Sequence, residues 1–499
     1  MKKTHFLAVV TLATAAILIG YSVTWAVGPV LLDPSKRGVS VVWEGTGQGE
    51  ILYGLSEDSL DQSLAVQSED IGVFRGKIEC LKPDTQYFYQ VRSLLYESDV
   101  YSFMTGVEPE TPFRFVAFGD TRTNRPEHEA VIEAIRAEAV PFVLHNGDLV
   151  DIAVFVWEWD EFFDIEHRML RESVFVPVMG NHEMWAGQPF FRRYFNTPDH
   201  GDATSSVYSF QYGNTFFINL DIARLYTPGS DQYGWLVDQL ILAESIPSVK
   251  HCVVQAHFPP YSASNHGSDV DVMLYRTTIA PLLTNFGVDL VFGGHDHNYQ
   301  HNQVEGVDYF VLGGGGAPLY GVDPEAWTIA YERSNNYLVI DVNGEVINLT
   351  AKRADGTIIE EYMLENDFGG QGIGEELPVP CADGDWDEDG LTDGEEYAGC
   401  TDPYDADTDG DGYNDGDEVL AGTDPCDENS YPGSGDDDDD DNDDNDDDTG
   451  GDDDDDDDND DDTGGDDDDD DDNDNDDDDD DDDNNDDNDD DDDDSGCGC

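Results

Sequence analysis

The chain has 499 residues, and its 116 acidic side chains against 22 basic ones give a formal charge of −94. From Asp436 to Asp494, 45 of 59 residues are Asp and the rest are Asn, Gly or Thr, a run with no apolar side chain to bury that cannot offset the entropy of folding. Without those aspartates the charge is still −49, so no nucleic-acid binding is expected, because a phosphate backbone is bound through Lys and Arg that replace its counterions.

The first element is Met1-Lys2-Lys3 and a largely apolar stretch from Phe6 to Ala26, with the small residues Thr24 and Ala26 before a cut. This predicts a signal peptide over 1–26, with a retained membrane anchor as the alternative, since the apolar run is just long enough to span a bilayer. Either way the body is expected to be exported, secreted or at the cell surface. Between 30 and 106, alternating runs such as Gly38 to Trp43, Glu50 to Tyr53 and Gln86 to Ser93 are divided by Gly, Asp, Ser and Pro, which predicts a small antiparallel β-sandwich. Its phrase LKPDTQYFYQVRS, Leu81 to Ser93, resembles the late-strand signature of fibronectin type III modules. From 111 to 365, apolar strands (Phe113 to Phe118, Phe142 to His145, Val174 to Met179, Thr215 to Leu220, His251 to Gln255, Leu290 to Phe292) alternate with helical stretches such as Glu127 to Glu138. That pattern predicts an α/β catalytic domain.

The segment 381–430 carries Asp385-x-Asp387-x-Asp389-Gly390-x-x-Asp393-x-x-Glu396, repeated as Asp407-x-Asp409-x-Asp411-Gly412-x-x-Asp415-x-x-Glu418. Both copies place oxygens at positions 1, 3, 5, 9 and 12 of a calcium loop, with glycine at 6 for the turn. Without clear helices on both sides, and with the links GCTDP and GTDP, the pair resembles bacterial thrombospondin type 3 calcium repeats. The segment 433–499 is expected to be a disordered spacer. Its closing Gly-Cys-Gly-Cys resembles the start of cysteine-containing surface-sorting signals, which implies attachment to the cell surface through Cys497 or Cys499; the apolar helix and basic end of such signals do not come after it. Of the other cysteines, Cys80 and Cys252 lie in strand-like runs and are expected as buried thiols, while Cys381, Cys400 and Cys426 have room for a single bridge whose pairing stays open.

Four strands run directly into polar clusters: Gly119-Asp120-Thr-Arg122, Asn146-Gly-Asp148-Leu-Val-Asp151, Gly180-Asn181-His182-Glu183 and Gly293-Gly-His295-Asp-His297. A fifth ends at His257. In open α/β sheets, ligands bind beyond the carboxyl ends of the strands, so five clusters there are expected to converge on one site. Carboxylate, amide and imidazole ligands suit Fe, Mn or Zn. The order GD, GNH, H, GHxH resembles the calcineurin-like metallophosphoesterases. The phrases GNHE, HFPPY (257–261), YSFQYGNTFFINLD (208–221), QYGWL (232–236) and GGHDHNY (293–299) are similar to purple acid phosphatase text.

That resemblance implies a multidomain chain with an αββα catalytic sandwich. It makes Asp148 a carboxylate bridging two ions, with Asp120 and His297 on one and Asn181, His257 and His295 on the other. It implies hydrolysis of phosphate monoesters, on phosphorylated small molecules or nucleotides, by attack of a metal-bound hydroxide. His182 would stabilise the phosphoryl transition state or protonate the leaving oxygen, and His266 would face the leaving group. Two positions depart from the family: Arg122 stands where a histidine is usual and is expected to contact phosphate, and Asp151 stands where purple acid phosphatases have the tyrosine whose bond to ferric iron gives their colour. Asp151 is expected as a colourless oxygen ligand, unless another tyrosine such as Tyr299 or Tyr261 reaches the metal. The alternatives are a phosphodiesterase or nucleotidase of the same mechanism, and a catalytically inactive cell-surface scaffold with calcium repeats.

Overall fold

The structure, a computed structural model, describes residues 27–432 apart from 71, 185–187, 196–206, 366–367, 369–383, 386, 388, 402–405 and 428–429. The expected signal peptide, Cys381, the Asp-rich tail and its terminal cysteines lie outside the described residues.

The N-terminal strands are β1 (Val30–Leu32), β2 (Val39–Glu44), β3 (Gly49–Gly54), β4 (Gln62–Val66), β5 (Ser68–Asp70), β6 (Val73–Ile78), β7 (Gln86–Ser93), β8 (Tyr96–Glu97) and β9 (Tyr101–Met104). They form a pair of antiparallel sheets, ordered β1-β2-β6-β5 and β4-β3-β7-β8 with β9 beside β7. In β7 the alternate residues Tyr87, Tyr89 and Val91 are buried, the period-two pattern of a half-buried strand. The Tyr89 hydroxyl donates to the Arg171 carbonyl at 3.0 Å, which ties this sandwich to the α/β domain.

The next strands are β10 (Phe113–Phe118), β11 (Phe142–His145), β12 (Val174–Pro177), β13 (Tyr208–Tyr212), β14 (Thr215–Asn219), β15 (His251–Gln255), β16 (Leu290–Gly293), β17 (Tyr299–Val304), β18 (Val307–Leu312), β19 (Thr328–Glu332), β20 (Asn336–Asn343), β21 (Val346–Arg353) and β22 (Ile358–Glu365). One sheet runs β12-β11-β10-β20-β21-β22 and the other β13-β14-β15-β16-β18-β17-β19. Alternation along β10 separates the layers: Phe115 and Ala117 point into the core between the sheets with Phe142, Phe217 and Phe292, whereas Val116 and Phe118 pack under the helices Arg125–Ala137 and Val156–Leu170. The second sheet is covered by Asp231–Ser245, Val270–Thr278 and Ala280–Phe286. The result is the αββα sandwich.

The central strands are parallel and in step, with Phe118 opposite His145, His145 opposite Pro177, and Gln255 opposite Phe292. Because they end at one level, the loops at their carboxyl ends open on one crevice. Cys252 is a buried free thiol, as expected. Cys80 is instead disulfide-bonded, and it lies just past β6 in an exposed turn at φ 61° rather than inside the strand. Cys400 and Cys426 form a bridge across 26 residues.

Candidate metal centre

Asp120, Asp148 and His257 are fully buried and each turns a ligand atom to within 4.8 Å of the others. Asp120, Asp148 and His295 hold φ of 58°, 56° and 68°, a left-handed backbone that L-residues adopt only where the surroundings enforce it. Gly180 belongs to the same enforcement, since a Cβ there would lie 2.2 Å from the Asp148 nitrogen and from its Oδ1. Three ligand-type side chains are thus aimed by strained turns at the ends of β10, β11 and β16.

The histidines reveal their proton positions. His257 Nδ1 lies 2.7 Å from the Asn146 carbonyl and His297 Nδ1 lies 2.8 Å from the Pro318 carbonyl. A carbonyl only accepts, so each Nδ1 carries a proton, and in the neutral ring that a metal requires each Nε2 presents a lone pair. Those lone pairs point inward: His257 Nε2 is 3.4 Å from Asp148 Oδ1 and 2.9 Å from Asn181 Oδ1, and His297 Nε2 is 3.4 Å from Asp120 Oδ1. Lone pairs facing acceptor oxygens make sense around a cation, and an outer hydrogen bond that fixes the tautomer is the usual support for a metal-binding histidine. Burial, with the neighbouring His257, keeps His295 neutral, pushing it down to about 2. Burial alone would raise Asp148, but His257, His182 and Arg122 outweigh it and hold the carboxyl at about 2. This donor set of carboxylates, amide oxygen and neutral imidazoles fits a pair of hard-to-borderline divalent ions.

Arg122 and Asp151 are placed together. The Arg122 guanidinium donates from Nη1 to Asp151 Oδ1 at 2.8 Å and from Nε to Asp148 Oδ2 at 3.3 Å, and its Nη2 lies 3.3 Å from His297 Nε2. The carboxylate of Asp151, expected as a metal ligand, is therefore engaged by Arg122, because a fixed cation two residues after Asp120 competes for it. His182 lies beside Asp148: its backbone N–H donates to Asp148 Oδ1 at 3.0 Å, its Nδ1 is held by the Asp151 carbonyl, and its Nε2 faces Asp148. His266 is also at the site, with Nδ1 2.8 Å from Asp269 and its ring centroid 4.5 Å from that of His295. Tyr299 and Tyr261 are not at the centre: the Tyr299 hydroxyl donates to Glu360, and Tyr261 packs on Tyr309 and Trp327.

Two residues escaped sequence reasoning. Glu183, fully buried, accepts from the backbone N–H groups of Gly180, Asp148 and Val150 at 2.9, 3.1 and 3.2 Å, so it clamps the loop that carries Asp148. Burial and the nearby Asp148 carboxylate push it up to about 8. Tyr320 lays its ring on His297, centroids 4.2 Å apart and 21° from parallel. Its signal was Gly313 to Gly316: Gly315 N–H donates to the Gly119 carbonyl, and a Cβ at Gly315 would lie 2.3 Å from that oxygen. Only glycine lets this loop press against the Asp120 turn.

In the acidic segment Asp385, Asp387 and Asp389 converge, and Asp389 and Glu396 meet Asp415 of the second copy, each group within 4.8 Å. Both Glu396 oxygens and one oxygen each of Asp387, Asp407, Asp409, Asp411 and Glu418 are buried without a hydrogen-bond donor among the described residues. The Asp393 carboxylate is also paired with the buried Arg37 of the β1–β2 connection at 3.1 Å. The cross-repeat position of Asp415 and the Arg37 contact of Asp393 come from packing that the repeat pattern does not encode.

Residues 113–299 match the calcineurin-like phosphoesterase family, and 385–406 and 407–428 match the bacterial TSP3 repeat. An uncharacterized protein of Mycobacterium tuberculosis is 26% identical over 279 residues, 48% of this chain and 52% of that protein. The chain thus spans about half the length of that relative. Probable purple acid phosphatase 20 of Arabidopsis thaliana is 25% identical over 292 residues, 54% of this chain and 67% of the plant protein. The fold is similar to that of a purple acid phosphatase from yellow lupin (Lupinus luteus) seeds, with a TM-score of 0.62 at 18% identity, over 71% of this chain and 77% of the other.

Proposed function

We propose, for a chain that carries a calcineurin-like phosphoesterase domain followed by bacterial TSP3 repeats, that it is an exported hydrolase of phosphate monoesters with two transition-metal ions, Fe, Mn or Zn, and calcium in its repeats. The observation that carries the reading is the pair of histidines, His257 and His297, whose Nδ1 protons are fixed on backbone carbonyls while their lone pairs meet Asp148, Asn181 and Asp120. Asp148 would be shared by both ions, with Asp120 and His297 holding one and Asn181, His257 and His295 the other. Ions held there supply Lewis-acid polarisation of the phosphoryl oxygens and a water activated as nucleophile.

The chain's own groups do the rest. Arg122 keeps its charge despite burial, because Asp148, Asp120 and Asp151 outweigh the desolvation, so its remaining N–H donors meet a phosphate oxygen as a full cation. His182, turned by the Asp151 carbonyl, presents Nε2 to the reacting group, and His266, turned by Asp269, presents Nε2 from the side of His295. Either can carry the proton that the leaving oxygen needs. Export is supported by the Cys400–Cys426 bridge and by the disulfide at Cys80, since such bonds persist in oxidising compartments.

The test is turnover of p-nitrophenyl phosphate by protein stripped with a chelator and reloaded with Mn, Fe or Zn, with metal content measured alongside. Activity should vanish on stripping, return on reloading, and exceed that on bis(p-nitrophenyl) phosphate. Full turnover by verified metal-free protein, or none by loaded protein, would sink the reading.

A further inference from the structure

The segment from Asp151 to the helix Val156–Leu170 is unusual for a surface loop. Its Ile152, Val154, Val156 and Trp157 are 46%, 40%, 41% and 60% exposed, while Ala153 is buried and its carbonyl accepts from the buried Trp159 indole at 2.9 Å. Single exposed apolar residues need no explanation, but a contiguous group on an anchored loop does. The rings of Phe155 and Trp157 stack at 4.1 Å, 15° from parallel, so the exposed indole has a braced position.

Trp157 also lines a cavity of about 210 Å³ whose other walls include Thr121, Arg122, Asp151, Glu158 and Phe162. Arg122 contacts Asp148 and His297 as well as Asp151, so the cavity adjoins the metal centre through Arg122. A cavity of about 150 Å³ takes a benzene ring, and drug-sized ligands need about 300 Å³ or more, so the space suits one ring and not a nucleoside. Its walls carry Arg122 and Arg125 against Asp151, Glu158 and Glu161, a negative surplus that disfavours a leaving group bearing its own negative charge.

We propose that this cavity is a leaving-group subsite for a single uncharged aromatic ring, with Trp157 as its stacking face and aryl phosphates as the preferred substrates. The inference rests on the hydrolase reading above. The reaction served is the same: the water oxygen bonds to phosphorus, the P–O bond to the aryl group breaks, and the proton ends on the phenol.

The experiment uses metal-loaded full-length protein and compares phenyl phosphate with glycerol phosphate as substrates, and phenylphosphonate with methylphosphonate as ligands in calorimetry. Trp157→Ala should raise KM for phenyl phosphate and weaken phenylphosphonate binding by about five-fold, with kcat within about two-fold and the two aliphatic compounds unaffected. Trp157→Phe should restore most of the loss. Equal changes for aryl and aliphatic compounds, or no change, would overturn the subsite. Selective phenylphosphonate binding without turnover would keep the subsite and remove the hydrolase reading, whereas turnover without aryl preference would do the reverse. Neither binding nor turnover would remove both.

Discussion

Glu183 shows how one side chain sets the geometry of a centre it does not touch as a ligand. Its two oxygens absorb three backbone N–H groups around Asp148, and no other acceptor among the described residues is shown to serve them. Each such bond contributes about 1 kcal/mol, so Glu183→Ala should destabilise the protein by about 3 kcal/mol, read as a shift in the denaturation midpoint. Because it also frees the turn that holds Asp148 at φ 56°, metal affinity should fall by about 10–100-fold. A variant with unchanged metal affinity would show that the φ strain is maintained by other contacts, Gly180 foremost.

At the scale of elements, the acidic repeats are built around charge rather than around an apolar core. Burial and the carboxylates of Asp387, Asp389, Asp393 and Asp415 push Glu396 up to about 8, and both its oxygens are buried without a donor among the described residues. Such a cluster is stable only when a cation or protons neutralise it. Calcium should therefore order the segment, and limited proteolysis between Pro380 and Pro432 should be much faster in a calcium chelator. Equal cleavage with and without calcium would reject the repeat reading. The Arg37–Asp393 pair predicts where ordering is strongest, since it fixes the start of the helix Asp393–Ala398 on the N-terminal sandwich.

For the whole molecule, the two catalytic sheets are joined outside the metal centre by a buried charge cluster. His301 of β17 lies 3.0 Å from Glu360 of β22 through Nδ1 and 3.0 Å from Asp308 of β18 through Nε2. Burial works against the imidazolium, but Asp308 and Glu360 raise His301 above 6.5; burial works against the Glu360 carboxylate as well, but His301 and Tyr299 lower it below 4.5. The His301 contribution is thus complete below 6.5 and is lost as pH rises through its folded value, while that of Glu360 is present above 4.5 and is lost as pH falls. His301→Gln should cost about 3–5 kcal/mol near pH 5.5, and the gap to the unaltered protein should shrink near pH 9. A gap of constant size across that range would mean that His301 is held neutral and only fills space.

The layered architecture and the identity of the clustered groups follow from local patterning along the chain. Strand runs that end in GD, GNHE and GGHDH place their polar residues after buried β-strands, and a parallel sheet leaves such residues one crevice in which to meet. Period-two burial in β7 and the twelve-residue spacing of the acidic loops were legible for the same reason: each is a product of local geometry. Long-range packing made the choices among equally reachable partners. Asp151 faces Arg122, Asp393 faces Arg37 across 356 residues of chain, and Asp415 meets Asp389 and Glu396 of the first repeat. Cys80 is disulfide-bonded from an exposed turn, and Tyr320 reaches His297 because four glycines let a distant loop close on the Asp120 turn. A charged, sulfur-bearing or aromatic side chain states what it can bind, and the packing of elements far apart in sequence selects which partner it meets.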